Sequence, residues 1–138
     1  MLKTMTIYLK HKLWKLIMIR SKFILKYVLG ILFFIAGIGH FVKPEIYLKI
    51  MPPYLPFPIL LIYISGFCES IFGLMLCFHK TSRIASWLII ALLIAIFPAN
   101  IHMALHPEIF PQIPQIVLWI RLPFQGLLIF WAYCYTKN

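Results

Sequence analysis

The chain has 138 residues, of which 63% are hydrophobic and 17% aromatic, with a mean hydropathy of +0.95. Ordinary soluble domains hold roughly 45–50% apolar residues, so this composition excludes a conventional water-soluble globule. Thirteen Lys and Arg against three Asp and Glu give a formal net charge of +10; lying beside long apolar runs and without a nucleic-acid-binding motif, these cations point to anionic headgroups, not to nucleic acid.

Residues 1–22, MLKTMTIYLKHKLWKLIMIRSK, form a basic N-terminal extension at the membrane surface. On a helix of about 100° per residue, Lys12, Lys15 and Lys22 group together while Lys3, Lys10 and Arg20 fall elsewhere, so the charge segregation of an interfacial helix is weak. A cleaved signal peptide fits poorly as well. The apolar run that follows is too long for an h-region and no small-x-small site ends it. The expectation is a retained first helix, dividing the chain into the extension and a membrane domain over 23–138.

Four apolar runs follow, each near the ~20 residues that cross a hydrocarbon core of about 30 Å. The first spans about Phe23 to Phe41 and reaches its far surface at His40. The connection KPEIYLKIMPPYLPFP is too rich in proline for one helix and too apolar for an ordinary solvated loop; it predicts a short helix from near Pro44 and then an extended piece. The second run, Ile59 to Phe78, carries Glu69 about ten residues in, ~15 Å deep. The third, Ile84 to about Leu105, holds Pro98, Asn100 and His102. After HPEIFPQIPQ, the fourth, Ile116 to Tyr135, holds Arg121, Pro123 and Gln125. None alternates like a barrel strand, and lipid tolerates no unpaired backbone, so the fold class is an all-α bundle of four transmembrane helices.

Basic residues outside the runs fall mainly on one side. Lys3, Lys10, Lys12, Lys15, Arg20, Lys22 and Lys26 lie before or at the entry of the first, Lys80 and Arg83 between the second and third, and Lys137 in the tail. The opposite connections hold Lys43 and Lys49. The positive-inside rule therefore places both termini in the cytoplasm, in a multi-pass protein of the inner membrane.

Buried polar residues collect toward the other side: His40, Glu69, Asn100, Arg121 and Gln125. Gly66, Glu69, Ser70, Gly73 and Cys77 share about 100° of arc, a small and polar stripe that lets membrane helices approach closely. Arg121, Gln125, Leu128 and Ala132 form a similar stripe on the fourth run. Glu69 is the one acidic residue within the runs, and an unpaired charge at mid-membrane costs at least ~2.5–3.5 kcal/mol. Glu69 and Arg121 are therefore expected to pair, directly or through Gln125 or Asn100; the competing arrangement has Arg121 snorkelling to phosphates and Glu69 protonated. The proline-rich connections would form either a lid over this cluster or anchors in the headgroup layer. Pro98 and Pro123 each free a carbonyl one turn earlier, and Asn100 and Gln125 lie two residues beyond them, as in kinked helices opening a polar cavity.

Other chemistry is thinner. His102 and His106 stand at i and i+4 with Glu108 close behind, but two imidazoles do not make a metal centre, and no metal is expected. Cys68, Cys77 and Cys134 contain no C-x-x-C pair and are expected to be free thiols. There is neither a haem-attachment motif nor a nucleotide fingerprint, so no cofactor is evident in the chain itself.

From about Ala36 to Tyr133 the residues resemble the DoxX family of small four-helix membrane proteins: Gly39-His40-Phe41 then Pro44; Pro52-Pro53 with Pro56; Ser65-Gly66 with Glu69 and Gly73; Phe97-Pro98-Ala99-Asn100-Ile101 with Met103; and Trp119-Ile120-Arg121-Leu122-Pro123 with Gln125. The resemblance implies an accessory subunit of a redox-linked membrane assembly, with redox proteins as partners and a quinone as ligand of the polar cluster. A non-catalytic scaffold or assembly factor is the alternative.

Overall fold

Proline sets the helix limits. Pro44 and Pro58 each stand in the first turn of a helix, where the missing N–H would have had no partner. The computed structural model describes residues 2–137, with side chains from Ile7 onward. Its helices are α1 (Leu2–Val42), α2 (Pro44–Ile50), α3 (Pro58–Cys77), α4 (Ser82–Leu105) and α5 (Gln115–Tyr133), with a 3₁₀ turn at Pro107–Ile109. Four of them, all but α2, are long and apolar enough to cross a membrane. The four expected apolar runs are all helical and the short helix from Pro44 is present, but the proline-rich piece after it, expected to be extended, folds into turns and bends over 51–57, with Leu55 N–H donating to the Pro52 carbonyl at 3.1 Å.

Helix α1 differs from expectation in length. It runs unbroken through residue 22, so no change in secondary structure marks the boundary drawn there from charge. Its 41 residues make a rod of about 60 Å at 1.5 Å per residue, twice the ~30 Å of a hydrocarbon core. Residues 7–25 are exposed on every face, so this half of α1 projects past the other helices.

The other half of α1 packs antiparallel on α3, the most extensive contact in the molecule. Glycines at seven-residue intervals, Gly30 and Gly37 on α1 and Gly66 and Gly73 on α3, meet in pairs. A Cβ on Gly73 would lie 2.5 Å from the Gly30 carbonyl oxygen, and one on Gly66 would lie 2.5 Å from His40 Cβ. The backbones therefore touch where any side chain would push them apart. Helix α4 packs on α3 and on α5.

Two apolar clusters complete the interior. Leu29, Phe33, Leu76, Ala85, Ile89, Leu93, Ala132 and Tyr135 pack together toward the α3–α4 turn. At the opposite end Met103, Phe110 and Leu118 are buried against Ile50 and Ile113. This second cluster ties α2 and the connection after α4 into a common roof. Only 17% to 33% of the four spans' apolar windows are buried within the chain, which leaves broad apolar faces for lipid. Two serine hydroxyls inside the spans are satisfied by their own helices: Ser70 Oγ donates to the Gly66 carbonyl at 2.9 Å and Ser86 Oγ to that of Ser82 at 2.7 Å.

Candidate functional site

Polar contacts link the five residues expected to form one cluster in two sets, His40 with Glu69 and Arg121 with Asn100 and Gln125. The first is built on the α1–α3 seam. His40 and Glu69 are 7% and 5% exposed, and His40 Nε2 lies 3.5 Å from Glu69 Oε2. The close approach at Gly66 makes this possible, because His40 Cβ occupies the space that a larger residue there would fill. On its other edge, His40 Nδ1 lies 3.0 Å from the Ile62 carbonyl oxygen and 3.1 Å from Ser65 Oγ, and Ser65 Oγ also donates to the Ile62 carbonyl at 3.0 Å. The carbonyl can only accept, so Nδ1 carries the proton. That directs the other ring nitrogen, Nε2, at the carboxylate. Glu69 Oε2 is buried and has no hydrogen-bond partner among the described residues.

Tyr47 closes this cluster from above. Lys43 and Pro44 reverse the chain between α1 and α2, which sets the Tyr47 ring on that of His40 with centroids 3.7 Å apart. The phenol lies above Gly39, where a Cβ would come within 2.8 Å of Tyr47 Oη. Burial raises the Tyr47 phenol above its usual range and the Glu69 charge adds to this, while the Arg121 charge acts the other way. Tyr47 thus experiences the fields of both clusters.

The second cluster joins α5 to α4. Arg121 Nη2 donates to Asn100 Oδ1 at 3.3 Å, Asn100 Nδ2 donates to Gln125 Oε1 at 2.7 Å, and Gln125 Nε2 donates to the Leu93 carbonyl. All donors point the same way, so each bond polarises the next. The acceptor lies in the turn that Pro98 loosens, since Pro98 has no N–H for the Ile94 carbonyl. Gln125 is 3% exposed, whereas Arg121 remains exposed and meets the interior through its guanidinium.

The expected Glu69–Arg121 pair is therefore corrected. The ion-pair partner of Glu69 within 4 Å is His40, and Arg121 is held by Asn100. Both carboxylate and guanidinium still address the interior, but through different neighbours. Two participants were missed from sequence. Ser65 stands four residues before Glu69, a spacing that puts both on one helix face. Tyr47 gave no such signal, because its place depends on the reversal at Pro44.

Beyond this site, the His102 and His106 rings lie 4.4 Å apart, and His106 Nδ1 is 2.8 Å from Glu108 Oε1. The Glu108 carboxyl is held below its usual range by its own backbone N–H and by His106. No group of three His, Cys, Asp or Glu suited to a metal occurs among the described residues. Cys68, Cys77 and Cys134 are free thiols.

No curated protein and no solved structure matches the chain. A family match covers residues 29–136, which include every member of both clusters. The chain belongs to the family described as a domain of unknown function, DUF8561.

Proposed function

We propose that this is a DoxX-like integral membrane protein, an accessory subunit of a quinone-linked redox assembly, with both termini in the cytoplasm. The observation that carries the reading is the buried Glu69 oxygen, without a hydrogen-bond partner among the described residues and 3.5 Å from His40 Nε2. A single proton shared between these atoms would satisfy both, and such a pair can pass a proton on. Reduction of a quinone takes up two electrons and two protons. The electrons would come from a redox protein in the assembly, and the protons would pass through His40 and Glu69. Arg121, exposed and polarised through Asn100, would donate to a carbonyl oxygen of the quinone head, with Tyr47 as a second donor at the mouth.

The test uses the full chain in lipid nanodiscs, titrated with decyl benzoquinone and followed by tryptophan fluorescence. Saturable binding, weakened at least tenfold by Arg121→Ala, supports the proposal. Absence of saturable binding, or equal binding by the variant, refutes it.

A scaffold or assembly factor is the second reading, and the Arg121–Asn100–Gln125–Leu93 chain favours it, because its amide groups and one guanidinium donor are used to bind helix to helix. In that case the same substitutions would reduce recovery of partner proteins on purification and leave nothing for a quinone to lose.

A further inference from the structure

At the end of the bundle away from His40, a cavity of about 250 Å³ is lined by Ile19, Lys22, Phe23, Lys26, His79 and Tyr135. Three parts of the chain build it: α1, the turn between α3 and α4, and the segment after α5. Tyr135 fixes the arrangement, being 2% exposed and donating its hydroxyl to the Lys22 carbonyl at 3.0 Å.

We propose that this cavity binds the phosphate headgroup of an acidic phospholipid. The inference is independent of the redox reading and concerns the opposite end of the molecule. Lys26 is 3% exposed, which is unusual for lysine. Its ammonium lies 5.6 Å from the centroid of the Phe23 ring and 5.4 Å from that of Tyr27. Ring faces attract a cation but accept no N–H···O bond of ordinary strength, so the Lys26 donors remain suited to an oxygen ligand. Lys22 Nζ stands 5.9 Å from the centroid of the Tyr135 ring on the same cavity. None of the three acidic side chains is at this end: Glu45 lies on α2, Glu108 in the turn after α4, and Glu69 beside His40.

The form of the cavity selects lipid over a free ion. Ile19 and the aromatic walls give an apolar flank beside the cations, matching a glycerol and the first acyl carbons below a phosphate. The cavity also lies where α3, α4 and α5 end, at the level where a bilayer's headgroups begin, while α1 continues past it.

The experiment is native mass spectrometry of the full chain, with phosphatidylglycerol, phosphatidylcholine and inorganic phosphate as probes. Wild type should retain one phosphatidylglycerol per chain, and retention should fall at least tenfold in Lys22→Gln/Lys26→Gln. The charge-matched Lys10→Gln/Lys12→Gln, which lies outside the cavity, should retain it. Should the first double variant not fold, Lys22→Gln alone, at an exposed side chain, should still lower retention at least threefold. Equal retention of phosphatidylcholine, equal loss in both double variants, unchanged retention in Lys22→Gln, or full displacement of lipid by millimolar phosphate would each overturn the proposal.

Discussion

His40 Nε2 and Glu69 Oε2 face each other at 3.5 Å across the line where α1 and α3 touch. This relationship joins two helices through titratable groups, and the coupling is local. A double-mutant cycle with His40→Leu and Glu69→Leu should return about 1 kcal/mol of interaction in detergent unfolding. The matching cycle between Glu69 and Arg121 should return nothing measurable. A large Glu69–Arg121 energy would restore the pair expected from sequence.

The glycine contacts carry a steric prediction. Gly66→Ala puts a methyl group against His40 Cβ and should destabilise the fold by about 1–3 kcal/mol, as overpacking does. Gly126→Ala is the control. Nothing lies within 4 Å of the added Cβ there, so relief of glycine's cost in a helix should give up to ~1 kcal/mol of stabilisation. Thermal unfolding of both variants in the same micelle decides the matter.

Gln125 joins the two amide links between α4 and α5. Gln125→Leu strands Asn100 Nδ2 and removes the bond to the Leu93 carbonyl; the loss should be about 1 kcal/mol, given the modest worth of interhelical hydrogen bonds in membranes. Asn100→Leu combined with it should cost less than the sum of the two, because the second change removes a group already orphaned. Strict additivity would mean that the amides do not act as one chain.

Alkaline pH addresses Tyr47. Its folded phenol is raised by burial and by the Glu69 charge, so stability is complete below the ordinary phenol value of about 10. It declines as pH rises from there through the folded value, because the unfolded chain ionises first and gains the advantage. Tyr47→Phe should lessen that decline and remove one late-ionising phenol from the ultraviolet titration. An identical alkaline limb in the variant would show that the stacking on His40 does not shelter the hydroxyl.

Much of this architecture is legible in the sequence because lipid imposes simple rules. Four apolar runs of sufficient length predict four helices long and apolar enough to cross a membrane, all of them present, and the stripe of Gly66, Glu69, Ser70, Gly73 and Cys77 correctly identifies the face that meets another helix. The partner of Glu69 was not legible. Helical phase tells which way a residue faces within its own helix but not which neighbour stands opposite, and that choice rests on Gly37 meeting Gly66. Charge marked residues 1–22 as a separate extension, yet charge does not end a helix: that stretch lacks both proline and glycine, and α1 continues through it.

The backbone contact between Gly30–Gly37 and Gly66–Gly73 also apportions rigidity. Two helices in backbone contact at these four glycines have few side-chain rotamers between them to repack, so sliding α1 along α3 would break close contacts at once. Helix α5 is in the contrary state, with 17% of its apolar window buried and amide bonds to α4 as its main polar fastening. Separating α5 from the bundle would therefore uncover little apolar surface, and it would carry Arg121 away while leaving His40 and Glu69 on the α1–α3 seam.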